Sequence, residues 1–310
     1  MLASRMPTSA RFRDAALIFN PLAGRRPWRR RINLGRAVAL LEACGIRVAL
    51  LPTTGPGSGT AIAQEQLAAG RDLIVACGGD GTVNEVVNGM AGSAVPLALL
   101  PAGTANVLAK ELGLPWDPWR AAEYIPRGEV RRIALGRAGS RYFITVGGAG
   151  SDANLIYHAL RHRWGRLGML SFWLEGFRQL LTYDFPEFTV AVGGEALAAT
   201  LVVVSRTRHY GGPIQITRHA DFFGAEFEVA VFPPRNPLVY LVYLLAQLVG
   251  QLEGFPGVRF FRTQRVAATP RGARIRAQVD GELAGELPLE FVIIPDALSL
   301  LVPRKAVTHP

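Results

Sequence analysis

The apolar run Leu73-Ile74-Val75-Ala76 passes directly into Cys77-Gly78-Gly79-Asp80-Gly81-Thr82, and then into Val83-Asn84-Glu85-Val86-Val87-Asn88-Gly89. A short, bounded apolar run reads as a buried strand, and Val83, Val86, Val87 and Met90 recur at helical spacing. The segment is therefore a strand, a glycine turn and a helix. Three glycines around one aspartate let a ligand come close to the backbone and permit φ > 0 where a side chain would clash. Successive N–H groups at a helix N-terminus form an anion site, and the helix dipole adds partial positive charge. A carboxylate within such a nest has a use only against a metal, a proton or a hydroxyl. Otherwise it is a solvated turn residue.

Gly78-Gly79-Asp80-Gly81-Thr82 followed by Asn84-Glu85-Val86-Val87-Asn88-Gly89 resembles the nucleotide-binding core of the diacylglycerol kinase catalytic-domain family, which includes bacterial lipid kinases and sphingosine kinases. NAD kinases and phosphofructokinases carry a similar Gly-Gly-Asp-Gly turn. Glu85, Asn88 and Gly89 at this spacing favour the lipid branch.

Upstream, Ala15–Phe19 reads as a first strand ending in Asn20-Pro21-Leu22-Ala23-Gly24. Ligands of open parallel sheets gather at the carboxyl ends of strands, which places this loop well. The family has a similar Asn-Pro-x-x-Gly, here continuing as Arg25-Arg26-Pro27-Trp28-Arg29-Arg30-Arg31. That stretch reads as a loop gripping phosphate, lying on anionic lipid, or simply solvated. A helix (Leu34–Cys44), a strand (Arg47–Leu51) and a helix (Ala61–Ala69) follow. The resemblance implies a nucleotide-touching threonine after the second strand: Thr54, with Thr53 as the alternative. Strand Leu97–Leu100 ends in Pro101-Ala102-Gly103-Thr104-Ala105-Asn106-Val107, a second strand-to-glycine-to-helix turn. It is similar to the family's Pro-x-Gly-Thr-x-Asn-Asp, with Val107 in place of the aspartate.

Strand–helix alternation to about residue 120 predicts a parallel sheet covered by helices. From Val130 strand-like runs recur: Ile133–Leu135, Tyr142–Val146, Phe188–Val192, Leu201–Val204, Phe227–Phe232, Val258–Phe261, Ile275–Val279 and Leu289–Ile294. Helices are expected at Ser151–Arg161, Leu167–Leu181 and Leu238–Leu252. The expected fold is an α/β N-terminal domain (1–129) with glycine-rich nucleotide loops and a β-rich, sandwich-like C-terminal domain (130–310), whose last strand can return to the first.

In the second half, Gly147-Gly148-Ala149-Gly150-Ser151-Asp152-Ala153 is similar to the family's Gly-x-Gly-x-Asp-Ala. The resemblance gives Asp152 a lipid head-group role, and its position equally suits a helix cap. Arg161-His162-Arg163-Trp164-Gly165-Arg166 is a basic-aromatic patch that suits a lipid interface or a solvated turn. Thr207-Arg208-His209-Tyr210-Gly211-Gly212 matches a family stretch with Tyr-Gly-Gly. Of the acidic loop that holds a structural magnesium in relatives, only Asp221 survives, before Phe222-Phe223-Gly224. A hard cation wants several oxygen ligands, so the metal is expected to be lost. Val279-Asp280-Gly281-Glu282 matches the family's Asp-Gly-Glu, credited there with proton abstraction; without that context it reads as a tight turn. The five histidines show no metal-ligand or triad spacing.

Net charge is +10 over 310 residues, which implies an anionic partner. No basic-aromatic nucleic-acid module is visible, so a membrane surface or phosphorylated ligands are expected. Two cysteines far apart suggest a reducing compartment, and the polar N-terminus has no signal-peptide core. The expected location is cytoplasmic with peripheral membrane association, and a homodimer is allowed.

The resulting expectation is a lipid kinase using ATP and Mg²⁺. Asn20, Pro21, Thr54, Gly78, Gly79, Gly81, Thr82, Glu85, Gly103 and Thr104 would bind ATP. Asp80 would meet magnesium or the attacking hydroxyl, and Glu282 or Asp280 would take the proton, with Glu282 favoured and Asp80 its rival. A soluble-substrate kinase of the NAD kinase type and a silent lipid- or nucleotide-binding protein are the competing classes.

Overall fold

The computed structural model describes residues 11–23, 27–161, 175–176, 178–179, 182–210, 214–234, 239–240, 242–243, 252 and 255–304. The chain divides into two compact units, Met1–Ile133 with Asp296–Pro310, and Ala134–Pro295.

Unit 1 alternates strands and helices. The order is β1 (Asp14–Phe19), α1 (Pro27–Ala43), β2 (Arg47–Pro52), α2 (Ser58–Ala68), β3 (Leu73–Gly78), α3 (Asp80–Met90), β4 (Leu97–Pro101), α4 (Val107–Glu111) and α5 (Pro118–Ala121). The sheet runs β2-β1-β3-β4, every pair parallel, and residues of the chain's last strand join beside β4, with Leu300 opposite Leu97. Strands buried on both faces read as continuous apolar runs, and β3 is buried at all six positions. Beneath one face lies a core of Leu17, Leu41, Ile46, Leu73, Val75, Leu100, Ile125 and Leu301. The chain leaves β1 toward β2 and then crosses back to β3 on the other side. The carboxyl ends of β1 and β3 therefore flank a topological switch point, where open α/β sheets bind ligands.

Two helix starts correct the sequence reading. Helix α1 begins at Pro27 rather than Leu34, so Arg29, Arg30 and Arg31 are helical and not in a loop. Proline suits the first helical position and arginine is a good helix former. Helix α2 begins at Ser58, three residues before Ala61.

Unit 2 is antiparallel. Its strands are β5 (Glu129–Ala138, beginning in unit 1), β6 (Arg141–Phe143), β7 (Val146–Gly150), then α6 (Ser151–Arg161), β8 (Phe188–Val192), β9 (Glu195–Ala199), β10 (Leu201–Ser205), β11 (Phe227–Phe232), β12 (Arg259–Thr263), β13 (Arg265–Pro270), β14 (Arg276–Val279), β15 (Glu282–Glu286) and β16 (Leu289–Val302, ending in unit 1). One six-stranded sheet runs β12-β11-β10-β7-β14-β15, and residues 289–292 of β16 pair with β13, which pairs with β8, which pairs with β9. Alternation sorts the side chains: Val202, Val204, Val229 and Val231 enter a core with Phe188 and Phe291, while Val203, Ala230 and Phe232 join Phe185 and Tyr240 on the opposite face. Phe143 stacks on Phe227 at 5.6 Å and meets Phe291 edge-on at 6.2 Å. The glycines of β7 make room for this: a Cβ on Gly147 would lie 2.9 Å from the Phe291 ring.

Strands β9, β13 and β15 have no counterpart among the expected runs, and Tyr142–Val146 is two strands rather than one. The expected helices Leu167–Leu181 and Leu238–Leu252 lie largely outside the described residues, as do Gly24, Arg25, Arg26, His162, Arg163, Trp164, Gly165, Arg166, Gly211 and Gly212. The side chains of Trp28, Arg29, Arg30, Arg31 and Arg161 lie outside them too.

Candidate active site

In unit 1 the four strand ends are laced in a row. Thr53 N–H donates to the Phe19 carbonyl at 2.8 Å, Asn20 N–H to that of Cys77 at 3.1 Å, and Ala102 N–H to that of Gly78 at 2.9 Å. This brings together the loops that carry Asn20, Pro21, Thr54, Gly78–Thr82 and Gly103–Thr104. Asn20 closes its own loop, its Oδ1 accepting the Leu22 N–H at 2.8 Å. Thr54 is exposed, and its N–H and that of Gly55 donate to the Ser58 hydroxyl at 3.1 and 3.2 Å.

The glycines are required by approach rather than by backbone conformation. Gly78, Gly79, Gly81 and Gly103 are not among the positive-φ residues, and Gly79 has φ −90; the expected φ > 0 is corrected. Instead, a Cβ on Gly78 would fall 2.5 Å from the Thr82 side chain, and one on Gly103 would fall 2.3 Å from the Cα of Gly79. The two glycine turns thus touch backbone to backbone. The first intrahelical bond of α3 is Val83 N–H to the Gly79 carbonyl, so the first-turn amides remain directed along the helix axis toward these turns. Thr82 is buried and Thr104 exposed.

Asp80 opens α3, and its Oδ1 accepts the Val107 N–H at 2.7 Å. Position 107 therefore contributes its backbone amide, while the valine side chain is buried. Asn106 takes the left-handed conformation (φ 47), its Oδ1 accepting the Gly103 N–H at 2.9 Å and its Nδ2 donating to the Gly103 carbonyl at 3.1 Å. Lys110, one turn into α4, has its pKa pushed down by burial and partly restored by Asp80, and its ammonium lies 5.2 Å from the Trp116 ring. Sequence reading assigned no role to Asn106 or Lys110. An asparagine closing a Gly-Thr-x-Asn turn is a legible signal, because asparagine tolerates the left-handed region.

Glu85 faces helix α2. Its carboxylate accepts the N–H of Gly57 and of Gly59, both at 2.8 Å, and its carbonyl accepts the Thr60 hydroxyl at 2.8 Å. It caps the N-terminus of α2 from a neighbouring helix. A Cβ on Gly89 would meet the Thr60 carbonyl at 2.5 Å, so the Glu85 and Gly89 positions together dock α2 on α3.

In unit 2, Asp280 and Glu282 belong to one hairpin turn between β14 and β15. Asp280 (φ 49) and Gly281 (φ 84) both lie in the left-handed region, as a tight strand connection with primed geometry demands. Asp280 is buried; its oxygens accept the N–H of Ile144, Thr145 and Val146 at 2.9, 2.9 and 3.0 Å and the Thr145 hydroxyl at 2.6 Å. Those bonds also explain the break between β6 and β7. An ionised carboxylate has about four acceptor sites, so Asp280 is committed to holding the turn, which counts against it as a proton acceptor. Glu282 is half-exposed and paired with Arg141, Nη2 to Oε2 at 2.8 Å.

Asp152 lies in the first turn of α6. Oδ1 accepts the Ala153 N–H at 2.6 Å, and Oδ2 accepts the Tyr210 hydroxyl at 2.8 Å and Gln278 Nε2 at 3.0 Å. Burial pushes its pKa up, opposed by these hydrogen bonds. A cavity of about 310 Å³, which Asp152 does not line, is bordered by Asn154, His158, Arg178, Gln179, Tyr183 and Arg276, among others.

The residues do not fit a structural cation at Asp221. The guanidinium of fully buried Arg206 donates to the Phe222 and Gly224 carbonyls at 2.6 and 3.3 Å, and burial pushes its pKa down to about 10. A positive charge already occupies that loop. Among the described residues no group of three or more His, Cys, Asp and Glu could hold a metal. Nor is any described helix long and apolar enough to cross a membrane.

Residues 14–138 match the model of the diacylglycerol kinase catalytic domain, and residues 145–302 that of the YegS C-terminal NAD kinase beta sandwich-like domain. A diacylglycerol kinase of Bacillus subtilis is 28% identical over 94% of this chain and 97% of its own length. One of Staphylococcus saprophyticus is 25% identical over 94% and 95%. The fold is similar to the crystal structure of a diacylglycerol kinase from Bacillus anthracis, with a TM-score of 0.74, 21% identity, and coverage of 96% of this chain and 99% of that one. The chain belongs to the family that joins a diacylglycerol kinase catalytic domain to a YegS-type C-terminal β-sandwich domain.

Proposed function

We propose that the protein is an ATP-dependent lipid kinase that transfers the γ-phosphate to a lipid hydroxyl. The observation that carries this reading is the backbone contact between the Gly79 and Gly103 turns beside Asp80 and Lys110, at the strand ends of the parallel sheet. Phosphoryl transfer needs positioning and charge stabilisation more than covalent chemistry, and this arrangement offers both.

In unit 1, the first-turn amides of α3 and the Gly103–Thr104 backbone bind the phosphates, and Lys110 offsets their charge. Asn20, Pro21 and the Thr54 loop border the nucleotide, and Glu85 shapes that loop through Gly57 and Gly59. Magnesium would fit as a companion of ATP, with Asp80 as the carboxylate that would hold it beside the phosphates, since it commonly takes one or two carboxylates plus substrate phosphates. When bound, it neutralises charge developing on the phosphoryl oxygens. In unit 2, Asp152 orients the acceptor. Its hydroxyl oxygen attacks the γ-phosphorus, its proton passes to a Glu282 carboxylate oxygen, and the bond to the β–γ bridging oxygen breaks to leave ADP. Arg141 fixes Glu282 in place, and Asp280 sets the turn.

The test is labelled ATP with the purified chain and a panel of diacylglycerol, sphingoid and related lipids in vesicles, with NAD in a lipid-free arm. Phosphorylated lipid supports the reading. Labelled NADP alone decides for a soluble-substrate kinase, and no transfer to any acceptor decides for a silent binding protein. With the +10 charge, activity on anionic vesicles should fall as salt rises.

A further inference from the structure

We infer that Gln278 is a positioning residue that ties the acceptor-binding acid to the turn carrying the proposed base, an inference that rests on the lipid-kinase reading. Gln278 lies in β14 and is 2% exposed. Its Nε2 donates to Asp152 Oδ2 at 3.0 Å, and its Oε1 accepts the Gly281 N–H at 3.1 Å. One side chain therefore touches the proposed head-group acid at one end and the residue preceding Glu282 at the other.

The chemistry of the two ends calls for an amide. A carboxylate only accepts and a backbone N–H only donates, so the bridging group must donate on one side and accept on the other. The same requirement assigns the amide's orientation: reversed, its oxygen would face the carboxylate and its NH₂ would face an N–H. Leucine would take this acceptor away from the Gly281 N–H and remove a donor from Asp152. Gly148 leaves the space, since a Cβ there would fall 2.8 Å from Asp152 Oδ2 and 3.4 Å from Gln278 Nε2.

The turn has two shoulders, each held by a different acceptor. The Asp280 shoulder is clamped by Ile144, Thr145 and Val146, and its own N–H donates to the Val146 carbonyl at 2.7 Å. The Gly281 shoulder is held by Gln278. Glu282 is the next residue, so the placement of its carboxylate follows the Gly281 backbone. Through Gln278 that placement is referred to Asp152, so acceptor and base share one hydrogen-bonded frame.

The experiment uses the full chain, labelled ATP and diacylglycerol in anionic vesicles. Gln278→Leu should lower kcat by roughly 10- to 100-fold, the scale of a misplaced reacting group, with MgATP affinity unchanged because the nucleotide loops lie in unit 1. Gln278→Glu keeps an oxygen for Gly281 and can donate to Asp152 only while the carboxyl pair holds a proton. Near-wild-type kcat at acid pH, lost as pH rises through the raised range of the shared proton, is expected of this variant and not of wild type. Tyr210 donates to the same oxygen, Tyr183 lies within electrostatic reach of Asp152, and Arg276 within reach of Tyr183. Burial pushes Tyr210 up and Tyr183 to about 12, so neither tyrosine titrates in that window. If both folded variants keep wild-type kcat and pH profile, and differ only in melting temperature, Gln278 is merely structural and the inference falls. If Gln278→Leu does not fold, the acid-pH rescue of Gln278→Glu decides alone. A wild type that phosphorylates no lipid, on diacylglycerol or on the full panel, overturns the kinase reading itself.

Discussion

A Cβ on Gly103 would stand 2.3 Å from the Cα of Gly79, whereas one on Gly79 would stand 3.2 Å from the Cα of Gly103. The contact is asymmetric, and the two alanine substitutions should differ. Gly103→Ala must push the turns apart, and overpacking of about 1–3 kcal/mol corresponds to a loss of MgATP affinity of roughly 5- to 150-fold if the loops yield rather than the fold. Gly79→Ala should cost less. Calorimetric titration with MgATP, alongside thermal melts, tests the order, and equal effects would remove this contact from the nucleotide site.

Glu85 separates a ligand-touching residue from a scaffold one. Its carboxylate serves the Gly57 and Gly59 amides, and charge-assisted bonds at a helix N-terminus contribute on the order of 1–2 kcal/mol. Glu85→Gln should therefore lower both the melting temperature and MgATP affinity through the Thr54 loop. A direct ATP contact would instead reduce affinity with an unchanged melt.

The three acids should fail in three ways. Glu282→Gln should bind MgATP normally and lose roughly 10²–10⁴-fold in kcat, the range of general-base catalysis. Asp80→Asn should lose rate and also shift the magnesium dependence. Asp280→Asn should chiefly destabilise, because the buried carboxylate serves four donors. Full turnover in Glu282→Gln, together with a dead Asp80→Asn of unaltered magnesium response, would make Asp80 the base.

Asp152 predicts a pH dependence of stability. Its folded pKa is raised by burial, so above the ordinary carboxylate range the native state holds more protons than the unfolded one. Its contribution is full below the unfolded pKa and declines as pH rises through the folded pKa. The stability of Asp152→Asn minus that of wild type should rise over that window in urea titrations. A flat difference would mean that hydrogen bonds from Tyr210, Gln278 and Ala153 have cancelled the cost of burial.

Local pattern alone carries much of this protein. The apolar run Leu73–Ala76 followed by glycines places a strand and a turn, and Val83, Val86, Val87 and Met90 define the buried face of α3, because periodicity depends on near neighbours only. Pattern failed where local signals were mixed. The arginines after Pro27 looked like a loop because they carry no apolar stripe, yet they are helical, and Glu195–Ala199 and Glu282–Glu286 are strands rich in alanine, glycine and glutamate, which are depleted in strands and give no β signal.

What the sequence by itself determined was the inventory: two strand–glycine–helix turns, a hairpin with acids, and the family they resemble. Tertiary structure alone decided the pairings. Gly79 meets Gly103 across 24 positions, Glu85 reaches Gly57 across 28, and Gln278 reaches Asp152 across 126. It also divided the near-identical acids of one turn, burying Asp280 among four donors and leaving Glu282 half-exposed beside Arg141. Such partners are set by sheet order and loop closure rather than by spacing along the chain, and a carboxylate's use depends on which donors the fold brings to its oxygens.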